Sequence, residues 1–346
     1  MAATIYDVAK HAGVGIGTVS RALNNRPNIN AATKEKILKI ASDLNYAPHG
    51  VAQSLARKKT HSIACVVPFF FSYFYLGLLK RIHNILGAYQ YDLILYSLDR
   101  VDTRDNALER ILTERKADGL LIISLELSDS YARRFMDSPL PVVIVDHFHD
   151  RLDSIGIANV RGAKEATEHL IKLGHKRIGM INANISSFPA RSRLDGFKSA
   201  LNESGLEFRE SLVKVPSEEL GEHGFNEIAG YECMKKMISL EKEMPTAIFV
   251  ASDVQAVGAM RAAKEAGIRI PEDVALVGFD DIDFAKYMGL TTMRQPLQTM
   301  ADLAVERLMK KMARKSTDEF HVELKAELIV RESCGARKKY YVNKDQ

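Results

Sequence analysis

Residues 4–59 read TIYDVAKHAGVGIGTVSRALNNRPNINAATKEKILKIASDLNYAPHGVAQSLARKK, and this stretch decides the organisation of the chain. Ile5, Val8, Ala9 and Ala12 recur at the i, i+3, i+4, i+7 spacing of one buried helical stripe. Thr4 is placed to cap that helix, and Asp7, three residues on, favours its positive end. Gly13 then breaks the chain. A second short helix, about 17–24, is expected to bury Val19 and Leu23 and to turn Thr18 and Arg21 outward. Two short helices joined by a tight glycine-containing turn make a helix-turn-helix, whose second helix can enter the major groove of DNA. A third helix starts after Asn30, a good cap, and places Ile37, Ile40, Ala41 and Leu44 on one face. It closes a core that two helices alone could not bury.

Charge follows the same boundary. Residues 1–60 hold nine Lys/Arg against three Asp/Glu, a net of +6, whereas the whole chain is only +4, leaving −2 for the remainder. A charge run by itself is often just a solvated face. Coinciding with the helix pattern, it is the footprint of a phosphate binder. Gly13-Val14-Gly15-Ile16-Gly17 superficially resembles a nucleotide-binding loop, but such a loop follows a strand and opens a βαβ helix. This run follows a helix and lacks the third glycine at the needed spacing, which excludes a dehydrogenase on that ground.

The run Thr4-Ile5-Tyr6-Asp7-Val8-Ala9, Ala12-Gly13-Val14, Thr18-Val19-Ser20-Arg21 and Leu23-Asn24 closely resembles the headpiece of the LacI/GalR family of transcription regulators. So does Tyr46-Ala47-Pro48 followed by Val51-Ala52-Gln53-Ser54-Leu55, and the resemblance extends over nearly the whole chain. It implies DNA contacts from Thr4, Tyr6, Ile16, Gly17, Thr18, Ser20, Arg21, Asn24, Ala52, Leu55 and Lys58. It also implies that residues 48–56 form a hinge helix ordered on DNA, with Leu55 wedged into the minor groove at the operator centre. Pro48 suits a first helical position, because its missing N–H would be unpaired there. Two turns are too short to stand alone in water, so DNA or a symmetry mate must stabilise them. An apolar wedge costs about a few kcal/mol of unstacking, less at a flexible pyrimidine–purine step. Without the resemblance, residues 48–59 read as a simple linker.

Three departures from the family pattern bear on operator choice. Gly15 stands where a serine commonly caps the recognition helix, and Ile16 and Gly17 occupy positions that often read bases. Neither offers a side-chain hydrogen bond, although Ile16 can touch a thymine methyl, and Arg21 is the obvious bidentate donor to guanine. His49-Gly50 replaces a common Asn-Arg pair, and Gly50 weakens the hinge helix by up to about 1 kcal/mol.

Beyond Thr60 apolar β-type runs recur at 63–67, 92–96, 119–124, 141–146, 178–182, 247–252 and 274–280, with helical stretches such as 162–173 and 254–266 between them. Such alternation indicates α/β architecture with parallel, doubly wound sheets, and its length suggests two lobes. The order resembles the two-lobed type I periplasmic-binding-protein core that the family carries. The expected organisation is therefore a headpiece at 1–47, a hinge and linker at 48–60, a core at 61–334 and a basic tail at 335–346. By the same likeness the chain crosses between lobes near Asn159, Tyr287 and Phe320. That gives an N-lobe of about 61–158 plus 288–319 and a C-lobe of about 159–287 plus 320–334. Ligands of such sheets sit at the carboxyl ends of strands, here in the cleft between lobes.

Arg191-Ser192-Arg193-Leu194-Asp195-Gly196-Phe197 matches the family's R-x-x-G-F segment, and the resemblance gives Arg193 an effector contact, with Arg191 beside it. Asp280 matches an effector-binding aspartate at a strand end. An arginine with an aspartate suits a polyhydroxyl ligand, or forms a salt bridge at the lobe interface. Asp146 and Ser252 align with further cleft positions, Ser252 departing from an asparagine often found there. Phe69-Phe70-Phe71-Ser72-Tyr73-Phe74-Tyr75 is the densest aromatic run and falls at the end of the first core strand. Tyr73 and Phe74, together with Phe225, align with aromatic positions that touch effectors in relatives; the alternative is plain core. Lining the cleft, they would select an apolar or planar ligand face, as sugars and purines present.

No apolar signal region opens the chain, and no stretch approaches the roughly 18 apolar residues of a membrane span. Cys65, Cys233 and Cys334 are odd in number and widely spaced, as reduced cytoplasmic thiols are. His147 and His149 beside Asp146 and Asp150 read as surface polar residues rather than a metal site, and no cofactor is expected. No nucleophile motif or phosphate loop points to an enzyme. The tail 337–346 lacks leucine heptads, which favours a dimer over a coiled-coil tetramer.

The sequence therefore points to a cytoplasmic, dimeric regulator, most simply a repressor. It would bind a near-palindromic operator and be controlled by a sugar or related metabolite in the cleft. The alternatives are control by a protein partner such as a phosphocarrier, or a sugar-binding α/β protein without a regulatory role. A transport binding protein would not carry the headpiece.

Overall fold

The computed structural model describes residues 3–24, 27–46, 59–69, 72–98, 101–217, 222–314, 318 and 320–336, with backbone alone at 101–104 and 222. The chain divides into two compact units, 1–61 and 62–346.

In the first unit α1 (Ile5–Ala12) opens on the expected capping box. Thr4 Oγ1 accepts from the Asp7 N–H at 3.4 Å, while the Asp7 carboxylate accepts from the Thr4 N–H at 2.9 Å. Gly13 ends the helix at φ 70°, a left-handed cap that favours glycine. Next come α2 (Ile16–Leu23) and α3 (Ala31–Asp43), where Asn30 Oδ1 accepts from the Ala32 N–H at 2.9 Å. Val8, Ala9, Ala12, Val19, Ala22, Ile37 and Ala41 are buried, with Ile5, Leu23, Ile40 and Leu44 packed against them. Ala22 rather than Leu23 is the second buried residue of α2: three residues after Val19 it stays on the inner face, and Leu23 reaches around the edge. Thr18 is correspondingly half-buried.

The second unit begins with β1 (Ser62–Val67), α4 (Tyr73–Ala88), β2 (Asp92–Ser97), α5 (Val101–Glu114), β3 (Gly119–Ile123), α6 (Asp129–Asp137) and β4 (Val142–Val145). It continues through β5 (Ser154–Ile157), α7 (Asn159–Lys172), β6 (Ile178–Ile181), α8 (Phe188–Glu203), β7 (Val213–Lys214), α9 (Glu227–Ile238) and β8 (Ala247–Val250). It closes with α10 (Asp253–Glu265), β9 (Ala275–Asp280), β10 (Thr291–Arg294), α11 (Leu297–Met312), β11 (His321–Leu324) and β12 (Glu327–Ile329). Two six-stranded sheets result, ordered β11-β5-β4-β3-β1-β2 and β12-β10-β9-β8-β6-β7. All neighbours are parallel except β10 and β12.

Continuous apolar runs arise because helices cover both faces of each sheet. In β1, Ile63, Cys65 and Val67 pack with Leu78, Ile82 and Leu308 on one side, and Ala64 and Val66 with Leu108, Ala132 and Phe135 on the other. In the second lobe α9 and α10 approach closely through Gly230 and Gly258. A Cβ on Gly258 would lie 1.8 Å from the Glu227 carbonyl oxygen, and one on Gly230 would lie 1.9 Å from that of Gln255.

Two of the expected lobe crossings move. The first falls at Ala158, between β5 and α7, beside the expected Asn159. The second follows β10, at Gln295–Pro296, not near Tyr287, because β10 pairs with β9 in the second sheet. The third lies at 325–326, not near Phe320, because β11 pairs with β5 in the first sheet before the chain enters β12. Strands of three or four residues carry too little alternation to be assigned to a sheet by pattern.

Candidate functional site

Strand carboxyl ends from both lobes meet in a pocket lined by Phe69, Ser72, Tyr73, Phe74, Tyr75, Asp146, Pro189, Arg193, Phe225, Ser252, Val254, Asp280, Ile282 and Gln295. Asp146 follows β4, Asp280 ends β9, Ser252 follows β8, and Tyr73 and Phe74 open α4 after β1. The backbone is strained here: Ser124, Asp146, Asp280 and Asp281 have φ of 51°, 57°, 123° and 58°. Such conformations cost about 1 kcal/mol or more for non-glycine residues, and they concentrate at functional sites.

Arg193 is 4 % exposed and lies against the Phe279 ring, its guanidinium carbon 3.8 Å from the centroid. It donates from Nε to Asn159 Oδ1 at 2.9 Å and from Nη1 to the Ala251 carbonyl at 2.5 Å, and stands 3.6 Å from Asp280. Asp280 also accepts from Gln295 Nε2 at 2.7 Å. Asp146 accepts from Ser124 Oγ at 2.5 Å. Burial raises Asp146 to about 6, with Ser124 and Arg193 opposing the rise. Burial likewise takes Asp280 to about 6 against the pull of Arg193, and it lowers the Arg193 guanidinium despite the surrounding carboxylates. Beneath them Asp253, fully buried and pushed well up by burial, accepts from Thr292 Oγ1 at 2.6 Å and from the Ile282 N–H at 3.0 Å.

Two buried atoms of lining residues, Asp146 Oδ1 and Gln295 Oε1, have no hydrogen-bond partner. Unpartnered buried polar atoms cost about 1–3 kcal/mol. Ser252 caps α10, accepting from the Gln255 N–H at 3.4 Å; Gln255 in turn donates to the Asn182 and Gly224 carbonyls at 3.0 and 2.8 Å, holding the loop that carries Phe225.

The pocket thus brings together Tyr73, Phe74, Asp146, Arg193, Phe225, Ser252 and Asp280, but not Arg191. The Arg191 side chain is 42 % exposed, donates to the Ile185 and Ser186 carbonyls at 3.0 and 2.7 Å, and reaches Glu126 of the other lobe at 3.4 Å. Two residues before Arg193 on a helix is the wrong face for the same pocket. Tyr73 meets Phe284 of the opposite lobe edge-on at 5.5 Å. Phe69 lines the pocket; Phe70 and Phe71 lie outside the described residues. Gln295 went unrecognised in the sequence because it marks the second crossing, which the pattern displaced.

On the headpiece, Gly15 caps α2 without a side-chain bond, and Ile16, Gly17 and Arg21 are exposed on one face. Arg21 folds back, Nε donating to the Gly17 carbonyl at 3.2 Å and Nη2 to Thr18 Oγ1 at 3.4 Å. Ser20 is half-buried, and Asn24 Nδ2 donates to its carbonyl at 2.9 Å. Tyr6 is 69 % exposed, and the Thr4 hydroxyl is engaged with Asp7 at 2.7 Å. Ala52, Leu55 and Lys58, with the hinge helix and the tail from 337, lie outside the described residues. His149 stands 3.2 Å from Asp150 and 3.7 Å from Asp129. Among the described residues no group of three or more His, Cys, Asp or Glu is arranged to hold a metal, and no helix is long and apolar enough to cross a membrane.

Residues 4–49 match the model of bacterial regulatory proteins of the lacI family, and residues 167–334 that of a periplasmic binding protein-like domain. The chain is 31 % identical to catabolite control protein A of Priestia megaterium, covering 96 % of this chain and 99 % of that one. It is 33 % identical to the HTH-type transcriptional repressor PurR of Pasteurella multocida, covering 97 % and 99 %. Its fold is similar to that of the lac repressor dimer bound to operator and the anti-inducer ONPF, with TM-score 0.81, 27 % identity and coverage of 96 % and 99 %. It is also similar to the transcriptional regulator CelR in its cellobiose complex, with TM-score 0.71, 27 % identity and the same coverage. The chain belongs to the LacI family, DNA-binding transcription regulators, not enzymes, with a helix-turn-helix headpiece and a two-lobed effector domain.

Proposed function

We propose that the chain is a cytoplasmic repressor that binds a near-palindromic operator as a dimer and is controlled by a small, hydroxyl-rich sugar or related metabolite between its lobes. The observation that carries the effector assignment is the pocket itself: residues of both lobes build it, and Asp146 Oδ1 and Gln295 Oε1 are buried there without partners. A ligand that satisfies them bridges the lobes and so fixes the angle between them. Aromatic walls from Phe69, Phe74 and Phe225 suit the apolar face of a sugar or a planar base. The kinship supports the rest, since the similar lac repressor is a dimer on its operator and the similar CelR holds cellobiose.

An effector acts only through its different affinity for the two lobe arrangements, worth about 1–3 kcal/mol in such couplings, or about 5–150-fold in operator affinity. The test is a thermal-shift screen of sugars and nucleobases on the full chain, followed by operator titration with each hit. A hit that changes operator affinity at least about fivefold supports the assignment. Hits that all leave operator affinity unchanged would contradict it.

A further inference from the structure

We propose that Ile16 makes this chain a reader of pyrimidine 5-methyl groups, and that the operator half-site sets thymine, or 5-methylcytosine in its stead, against that side chain. The inference adds to the operator binding proposed above, on which it rests, and is independent of the effector. It starts from what the leading edge of α2 lacks. Gly15, Ile16 and Gly17 follow one another there, so three successive residues offer no side-chain hydrogen bond. Ile16 is 41 % exposed, and nothing lies within 4 Å of the points where Gly15 and Gly17 would carry a Cβ. The isoleucine therefore stands between two stretches of bare backbone, with room for a base edge to come close to it.

The polar side chains that follow do not fill that gap. Thr18 and Ser20 are half-buried, and the Thr18 hydroxyl accepts from Arg21 Nη2 at 3.4 Å. Asn24 Nδ2 is turned back to the Ser20 carbonyl at 2.9 Å, and Arg21 Nε to the Gly17 carbonyl at 3.2 Å.

Of the groups that base pairs display in the major groove, only the 5-methyl is apolar; the others are hydrogen-bond donors and acceptors. An isoleucine pressed against a donor or acceptor takes it out of water without giving it a partner. Pressed against a methyl it buries apolar surface on both sides, which is worth about four-fold in affinity for one methyl. Thymine and 5-methylcytosine carry the methyl at the same place and differ in the neighbouring group, a carbonyl acceptor against an amino donor. A hydrogen-bonding side chain would tell these two apart, whereas isoleucine does not. Methylation of a cytosine at this position would thus strengthen binding, a response to DNA modification that runs through the headpiece alone.

The experiment is titration of the full chain against the symmetric duplex enriched from a random library. Each thymine is replaced in turn by deoxyuridine, which deletes the methyl and keeps every hydrogen-bonding group. The expected result is a symmetry-related pair of positions where the replacement weakens binding about four-fold in one half-site and about fifteen-fold in both. At that pair, 5-methylcytosine opposite guanine should bind about four-fold tighter per half-site than plain cytosine opposite guanine. Ile16→Ala should remove both effects; a melting curve checks that the variant folds, and the duplex series on the parent chain does not depend on it. No deoxyuridine-sensitive pair, or sensitivity that survives Ile16→Ala, would overturn the proposal. So would a methylated cytosine that binds no better than a plain one, since that position would then be read through its hydrogen-bonding groups. Failure to enrich any symmetric duplex would remove the operator reading and this one together.

Discussion

Arg193 and Asp280 place a guanidinium and a carboxylate 3.6 Å apart in the interior, and burial disfavours the charged form of each more than their attraction favours it. A pair built this way is a poor source of stability. In the proposed effector site the pair would present a donor and an acceptor, already oriented, to a ligand that completes both. Arg193→Met is expected to weaken binding of any effector found by screening at least about ten-fold, measured by calorimetry, and to remove that compound's influence on operator affinity. Undiminished effector binding would return Arg193 to a purely structural role.

The raised carboxyl of Asp146 makes a pH signature. Its folded value of about 6 lies above the 3.8 of an ordinary aspartate, so the folded chain holds the proton over that interval while the unfolded chain releases it. Stability from this group is thus complete below about 3.8 and is lost as pH rises towards 6. Asp146→Asn, which keeps an acceptor for Ser124, should gain in melting temperature relative to the parent chain as pH goes from about 4.5 to 7.5. A difference that does not vary with pH would show that the carboxyl is not held protonated by burial.

Backbone proximity between α9 and α10 predicts two opposite glycine substitutions. Gly258→Ala drives a Cβ to 1.8 Å from the Glu227 carbonyl oxygen and should cost about 2–3 kcal/mol or more in denaturant unfolding. Gly87→Ala, on α4 with open space around its Cβ, should be neutral or stabilising by up to about 1 kcal/mol. Similar losses from both would mean that helix approach is not the reason for glycine at position 258.

Much of this molecule was legible before its structure, for physical reasons that differ by element. Thr4 and Asp7 announce a capping box because both partners lie within one turn, and the long β1 and β9 announce themselves by unbroken apolar runs. Asp146 and Asp280, which line the pocket, were singled out by resemblance to the family's cleft positions, at the ends of apolar runs. Gln295 was not, since it follows a four-residue strand whose sheet is decided by its pairing with β9 rather than by any local pattern. Arg191 misled because it shares a motif with Arg193 but not a helix face. His147 and His149 read as surface polar residues, whereas the structure buries both, because neighbouring loops and α8, which sets Phe188 against the His147 ring, cover a turn that sequence alone leaves open.

On the headpiece, Arg21 is the exposed side chain of α2 with bidentate capacity, and its bonds to Gly17 and Thr18 are surface contacts that DNA can replace. Arg21→Ala should relax preference at one symmetry-related base pair by about 1–3 kcal/mol, whereas Lys58→Ala should weaken all sequences alike. Quantitative binding to single-base variants of the operator distinguishes the two patterns, and equal, sequence-independent losses would remove Arg21 as a base reader.

The central claim, a dimeric headpiece pair reading a symmetric operator, is tested most directly by selecting bound sites from a random duplex library with the full-length chain at a stated salt concentration. The account predicts enrichment of a two-fold symmetric site with a flexible pyrimidine–purine step at its centre. Enrichment of an asymmetric site, or no enrichment with or without a mixture of the screened sugars and nucleobases present, would contradict it.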